Sequence, residues 1–208
     1  LVPDTKAFDL AVSYQDRAGV LYRDKLAGKY EARELSALPK GAMLTGAIDA
    51  DNSGTVDLLH EGGILFNDPK LDWVTAPLAS PVAIADWENR GVQDAVAAGA
   101  VVRYTGVRQY QPGSGLPGLP AAASYAAADF NGDGKTDLAA VSSDGSITLL
   151  TNSTVTPHQS MRIALAGVKN PKVAVGAEVE VKVRLLGSDP RHRGLEEVHR
   201  GVGSPVLL

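Results

Sequence analysis

A nine-residue acidic pattern recurs at a fixed frame along the chain. In its clearest copy, Asp129–Phe130–Asn131–Gly132–Asp133–Gly134–Lys135–Thr136–Asp137, hard oxygen side chains stand at alternate positions, glycines sit between them, and an aspartate closes the run. Asp49, Asp86 and Asp129 fall in register, 37 and 43 residues apart (49 to 86 to 129), and Asp57, Asp94 and Asp137 close the three copies at identical offsets. A repeat of this period commits the chain to stacked units, because one such unit cannot bury both of its faces alone.

Each closing aspartate is followed by a short apolar run: Leu58–Leu59, Ala95–Val96–Ala97 and Leu138–Ala139–Ala140–Val141. Asp9 with Leu10–Ala11–Val12 reads as the tail of an earlier copy whose loop is eroded or missing. Turns at Gln15–Gly19, Glu61–Gly63 and Ser143–Gly145 then lead into Val20–Tyr22, Ile64–Phe66 and Ile147–Leu150, with Val101–Tyr104 as the matching run in the third copy. Apolar runs joined through Gly- or Asp-containing turns signal hairpins. Ahead of the acidic loops lie the first-strand candidates Leu44–Ile48, Val82–Ala85 and Ser124–Ala128, and outer strands are expected at Tyr30–Leu35 and Trp73–Leu78. The Pro/Gly-rich stretch Gln111–Pro120 is expected to replace much of the third copy's outer strand with an exposed loop.

The fold class is therefore all-β. The unit of strand, acidic loop, strand, tight turn, strand and outer strand has the size of a β-propeller blade. Two full copies, one lacking its first strand and one with an unclear outer strand, suggest part of a larger ring. Residues 1–155 form the repeat region. Residues 156–208 are a small C-terminal β segment, in which Ala177–Leu186 alternates between Val179, Val181, Val183 and Leu185 on one face and charged residues on the other.

Composition narrows the function. A net charge of −4 gives no electrostatic case for nucleic acid or an anionic membrane surface, and no apolar run approaches the length of a membrane span. The absence of cysteine removes disulfides, thiolate catalysis and Cys-based metal sites together. The opening Leu1–Val2–Pro3–Asp4 lacks a basic n-region, so a processed or truncated chain is expected.

The acidic loops are candidate Ca²⁺ sites, since Ca²⁺ takes several carboxylate, amide and carbonyl oxygens in a flexible shell. In the last copy Asp129, Asn131, Asp133 and Asp137 supply side chains and Lys135 a backbone carbonyl. In the first, Asp49, Asp51, Ser53 and Asp57 fill the same places and Thr55 offers a carbonyl. An EF-hand would need a glutamate three residues beyond the closing aspartate, where His60 and Ala140 stand. The middle copy, Asp86–Asp94, carries Arg90 where an acidic ligand belongs, so a metal-free loop is expected there, with Arg90 paired to Asp86 or Glu88.

The stretch Ala128–Asn152 resembles an FG-GAP/VCBS-type repeat, and Gly46–Asn67 and Ala83–Tyr104 resemble further copies, the latter degenerate. The resemblance implies propeller blades with Ca²⁺ in some first-to-second-strand loops, as in integrin α-chain heads and exported bacterial proteins. Arg162–Gly167 and Asn170–Val179 are similar to the opening of an ASPIC/UnbV domain, which follows such repeats in cartilage acidic protein and its bacterial relatives.

His60, His158, His192 and His199 are scattered and form no catalytic set, so a non-enzyme is expected. Arg191–Arg193 with His199–Arg200 is read as a solvated basic cluster, and Trp73 and Trp87 as packing residues. The function expected is that of an exported, secreted, cell-surface or periplasmic module for protein interaction, adhesion or surface assembly. A carbohydrate-binding or carbohydrate-active propeller, with a glycan as partner, is the alternative.

Overall fold

The computed structural model describes residues 8–68, 70, 72–78, 81–97, 99–116, 119–121, 124–161 and 163–164, and the backbone of 178–184 and 196–202. Among these residues there is no helix. The strands run in chain order: β1 (Leu10–Val12), β2 (Gly19–Asp24), β3 (Tyr30–Leu35), β4 (Leu44–Ile48), β5 (Asp57–His60), β6 (Gly63–Asp68), β7 (Asp72–Pro77), β8 (Pro81–Ala85), β9 (Asp94–Ala97), β10 (Ala100–Gly106), β11 (Gln109–Gly115), β12 (Ser124–Ala128), β13 (Asp137–Val141), β14 (Ile147–Leu150), β15 (Glu178–Arg184) and β16 (Glu196–Val202).

They assemble as antiparallel meanders in chain order: β1-β2-β3, β4-β5-β6-β7, β8-β9-β10-β11, β12-β13-β14 and the hairpin β15-β16. The sequence repeats map onto the first four of these sheets one for one. Among the described residues the first and fourth sheets hold three strands each, and the first strands β8 and β12 of consecutive sheets lie against each other.

Strand alternation puts successive side chains on opposite faces, and here both faces find a neighbour. Leu58 joins Leu21, Leu35, Leu38 and Leu65 between the first two sheets, whereas Leu59 on the other face packs with Ile64, Phe66, Ile84 and Ala95 between the second and third. Val96 turns the opposite way from Ala95 and meets Trp87 and Leu138 between the third and fourth sheets. The parity is constant. The residue after each closing aspartate faces the preceding sheet, and the next faces the following one. On the end sheets the same rule leaves Leu10 and the cross-strand Ile147 and Leu149 exposed. Trp87 is buried in the third apolar layer and Trp73 packs against the first, as expected of packing residues.

One expectation is corrected. The Pro/Gly stretch does not replace the third sheet's outer strand, because β11 pairs with β10 from Gln109 to Gly115. Pro112 lacks an N–H to donate, which an edge strand tolerates, and β11 is the edge of its sheet. The register shifts between the Val102–Pro112 and Ala100–Gly115 pairs. Gly113 fits this irregularity because a Cβ there would stand 2.4 Å from the Val101 carbonyl oxygen. The 191–193 basic run and most of the 162–177 stretch lie outside the described residues. His199–Arg200 fall on the backbone of β16, and the strand expected over Ala177–Leu186 appears as β15.

Phe66 has no exposed surface, whereas Leu149 is 49% exposed on the outer face of the fourth sheet. Phe66→Ala should cost about 3–5 kcal/mol in urea unfolding, and Leu149→Ala under about 1 kcal/mol. Equal losses would contradict the layer assignment.

Candidate metal loops

All three acidic loops join the first strand of a sheet to its second and share one backbone path. Their fourth residues, Asn52, Asn89 and Gly132, have φ of 55, 53 and 76°, and their sixth, Gly54, Gly91 and Gly134, 83, 78 and 83°. Both places need left-handed backbone, which glycine adopts freely and asparagine tolerates. The opening aspartate then collects amides from the curled loop. Asp129 Oδ1 accepts from Gly132 and Asp133 N–H (2.7 and 3.0 Å), and Oδ2 from Gly134 N–H (3.1 Å). Asp49 accepts from Ser53 and Gly54 N–H, and Asp86 from Arg90 and Gly91 N–H.

The closing aspartates Asp57, Asp94 and Asp137 are completely buried. Asp57 accepts from Ala50 N–H in the loop and Asn67 N–H on β6, each at 2.8 Å. Asp137 accepts from Phe130 N–H (3.0 Å) and Asn152 N–H (2.8 Å), and Asp94 from Tyr104 N–H (2.8 Å). Each carboxylate thus ties its loop or second strand to the backbone at the third strand. Asp9 makes the same brace to Asp24 N–H (3.0 Å).

Adjacent loops are also clasped. Asn52 Nδ2 donates to the Gly91 carbonyl, and Asn89 Nδ2 to the Gly134 carbonyl at 3.0 Å. In the third loop Gly132 stands at this position and offers no side-chain donor.

The loops differ in how their negative charge is met. In the middle loop Arg90 Nη2 donates to both oxygens of Asp94 (2.6 and 2.7 Å), and its Nε lies 3.3 Å from Glu88 Oε2. An internal ion pair forms, with Glu88 as expected, but the stronger partner is the closing Asp94. Asp86, the other expected partner, turns to backbone amides instead. Arg103 on β10 also pairs with Glu88. In the first loop Asp49, Asp51 and Asp57 bring carboxylate oxygens within 4.8 Å of one another, close enough that the set could hold a metal ion. Ser53 and Thr55 hydroxyls meet at 2.8 Å beside them.

An arginine from outside the loop reaches this cluster. Arg108, at the β10–β11 turn, contacts Asp51 Oδ2 at 3.2 Å and Asp68 Oδ2 at 2.6 Å. The sequence gives no local signal for this contact, which spans 57 residues. In the third loop Asn131 Nδ2 donates to Asp133 Oδ2 (3.2 Å), and Asp133 Oδ1 accepts from Lys135 N–H (2.9 Å). The third loop is more exposed, and among the described residues the carboxylates that converge are those of the first loop, not Asp129, Asp133 and Asp137. Oxygen donors without sulfur or imidazole suit a hard divalent cation.

The sheets and loops define an all-β repeat protein whose units share an acidic first-to-second-strand loop. The family model for the FG-GAP repeat matches residues 121–150, which hold β12, the third loop, β13 and β14. No curated protein and no solved structure matches the chain.

Burial pushes the Asp57 carboxyl up to about 7, against the pull of its backbone hydrogen bonds. Asp49 is raised for the same reason. A carboxyl raised on folding holds its proton more tightly folded than unfolded. Its stabilisation is therefore full below the unfolded value near 3.8 and is lost as pH rises through about 7. In chelator, unfolding free energy should fall by on the order of 3–4 kcal/mol from this group between pH 4 and 7.5. Asp57→Asn should start from a lower baseline, because its amide cannot accept both N–H bonds, and lose most of that slope. An unchanged slope in Asp57→Asn would contradict the assignment.

Proposed function

We propose that the chain is a calcium-stabilised set of β-propeller blades serving as a non-catalytic extracellular module for protein interaction, adhesion or surface assembly. The observation that carries this reading is the same nine-residue acidic loop at the same place in three consecutive sheets, the last inside the FG-GAP match. FG-GAP repeats occur in extracellular, adhesion-type β-propeller proteins and often bind calcium. No helix among the described residues is long and apolar enough to cross a membrane, which fits a module carried outside the bilayer. The tail from residue 156 is read as the ASPIC/UnbV-like segment of the same module.

Asp129, Asn131, Asp133, Asp137 and the Lys135 carbonyl would hold one ion, and Asp49, Asp51, Ser53, Asp57 and the Thr55 carbonyl a second. When bound, the ion supplies charge neutralisation and a fixed loop geometry. The chain's own contribution is to curl each loop with αL residues and to anchor it through buried carboxylates. Extracellular calcium modules work with affinities of roughly 10⁻⁴–10⁻³ M, so loops as exposed as Asn131–Asp133 suffice. Trp87 is buried and Trp73 partly buried against the apolar layers between sheets, which supports packing roles over the exposed aromatic platforms a carbohydrate site would use.

Chelator should lower the melting temperature by several degrees, and Asp133→Ala should remove most of that sensitivity without unfolding the chain. Identical melting curves in chelator and in excess Ca²⁺ would overturn the calcium reading.

A further inference from the structure

Val107 and Arg108 form a two-residue turn between the paired Gly106 and Gln109, with both residues at positive φ (52 and 60°). Asparagine and glycine are the usual residues there. Arg108 nevertheless stands at the second place, and its surroundings hold it. Its N–H donates to the Tyr104 hydroxyl at 3.1 Å, and its guanidinium lies 5.7 Å from the centre of the Phe66 ring. The head group reaches from the third sheet to the second, where it meets Asp51 of the first acidic loop and Asp68 at the end of β6. Val107 beside it is 90% exposed, whereas the Arg108 side chain is only 21% exposed and its partner Asp51 8%. Partly buried charges at these distances are screened far less than surface pairs.

The middle loop shows what a guanidinium does in this frame: Arg90 occupies the closing aspartate from within. Arg108 places the same group against the first loop from a neighbouring sheet. It takes Asp51, one of three carboxylates whose oxygens converge there.

We propose that Arg108 is a built-in competitor for the cation of the Asp49–Asp57 loop. It neutralises Asp51 when no ion is held and must leave that carboxylate when calcium enters. The inference rests on the calcium reading above and adds two properties to it. The first loop is the weaker calcium site, and its loading is transmitted to the β10–β11 turn of the next sheet.

The test uses the full chain carrying Asp133→Ala, which silences the third loop, with Ca²⁺ titrated calorimetrically into Arg108, Arg108→Gln and Arg108→Lys versions. Arg108→Gln should bind calcium about tenfold more tightly or better, and Arg108→Lys should stay near the parent because its charge is kept. Equal or weaker binding by Arg108→Gln, while the parent binds calcium, overturns this proposal and leaves the calcium reading standing. No binding by any version, the chain with intact Asp133 included, overturns both.

Should Arg108→Gln fail to fold, the Asp133→Ala parent carries the same test through its assigned amide spectrum. The Arg108 and Tyr104 amides should shift as the first loop fills. Amides that stay put through saturation contradict the proposal.

Discussion

The structure depends on a carboxylate buried at the start of each second strand. Asp57, Asp94 and Asp137 have no exposed surface, and each accepts a backbone N–H from residues at or just after its third strand. Removing a carboxylate from water is costly unless hydrogen bonds replace its solvation. Charge-assisted bonds to backbone amides, about 1.5–3 kcal/mol each, offset part of that cost here, although at Asp57 burial still prevails and raises the carboxyl to about 7. The same contact recurs at Asp9, whose preceding residues Leu1–Phe8 do not carry the acidic pattern. That separates two roles that the nine-residue pattern superimposes. The last aspartate is a structural brace in every repeat, and the remaining acidic positions are free to vary with the cation they face.

The variation follows a simple electrostatic logic. Converging carboxylates repel one another, and a loop can answer with a bound ion, an internal arginine or an arginine lent by a neighbour. Arg90 is the internal answer and Arg108 the lent one. Arginine suits both places because its planar, permanently charged head donates to two acceptors at once. Asn52 and Asn89 then fasten each loop to the next, so the acidic side of the sheets behaves as a connected row rather than as three independent turns.

Much of this was legible in the residues. The constant offset from Asp49 to Asp57, Asp86 to Asp94 and Asp129 to Asp137 located every loop and, through the apolar runs on either side, nearly every strand of the four sheets. Alternation in such short runs also shows which residues share a face, but not which neighbouring sheet each face meets. Packing decides that, with Leu58 and Leu59 in separate apolar layers. Strand β11 was misread because Pro112 and Gly113 signal a loop in isolation; at a sheet edge one lost donor and one close approach are tolerated. Arg90 announced itself by breaking the acidic pattern. Arg108 could not, because its partners lie far away in sequence and nothing local marks a turn residue as a counter-ion.

The repeated loops thus answer their own charge in different ways. The most direct measurement is long-wavelength anomalous diffraction from crystals of the chain grown in excess calcium. Calcium peaks are expected inside Asp129–Asp137 and Asp49–Asp57, with Arg108 withdrawn from Asp51, and Arg90 density in place of a peak at Asp86–Asp94. A peak in the middle loop, or none in either of the other two, would contradict that expectation.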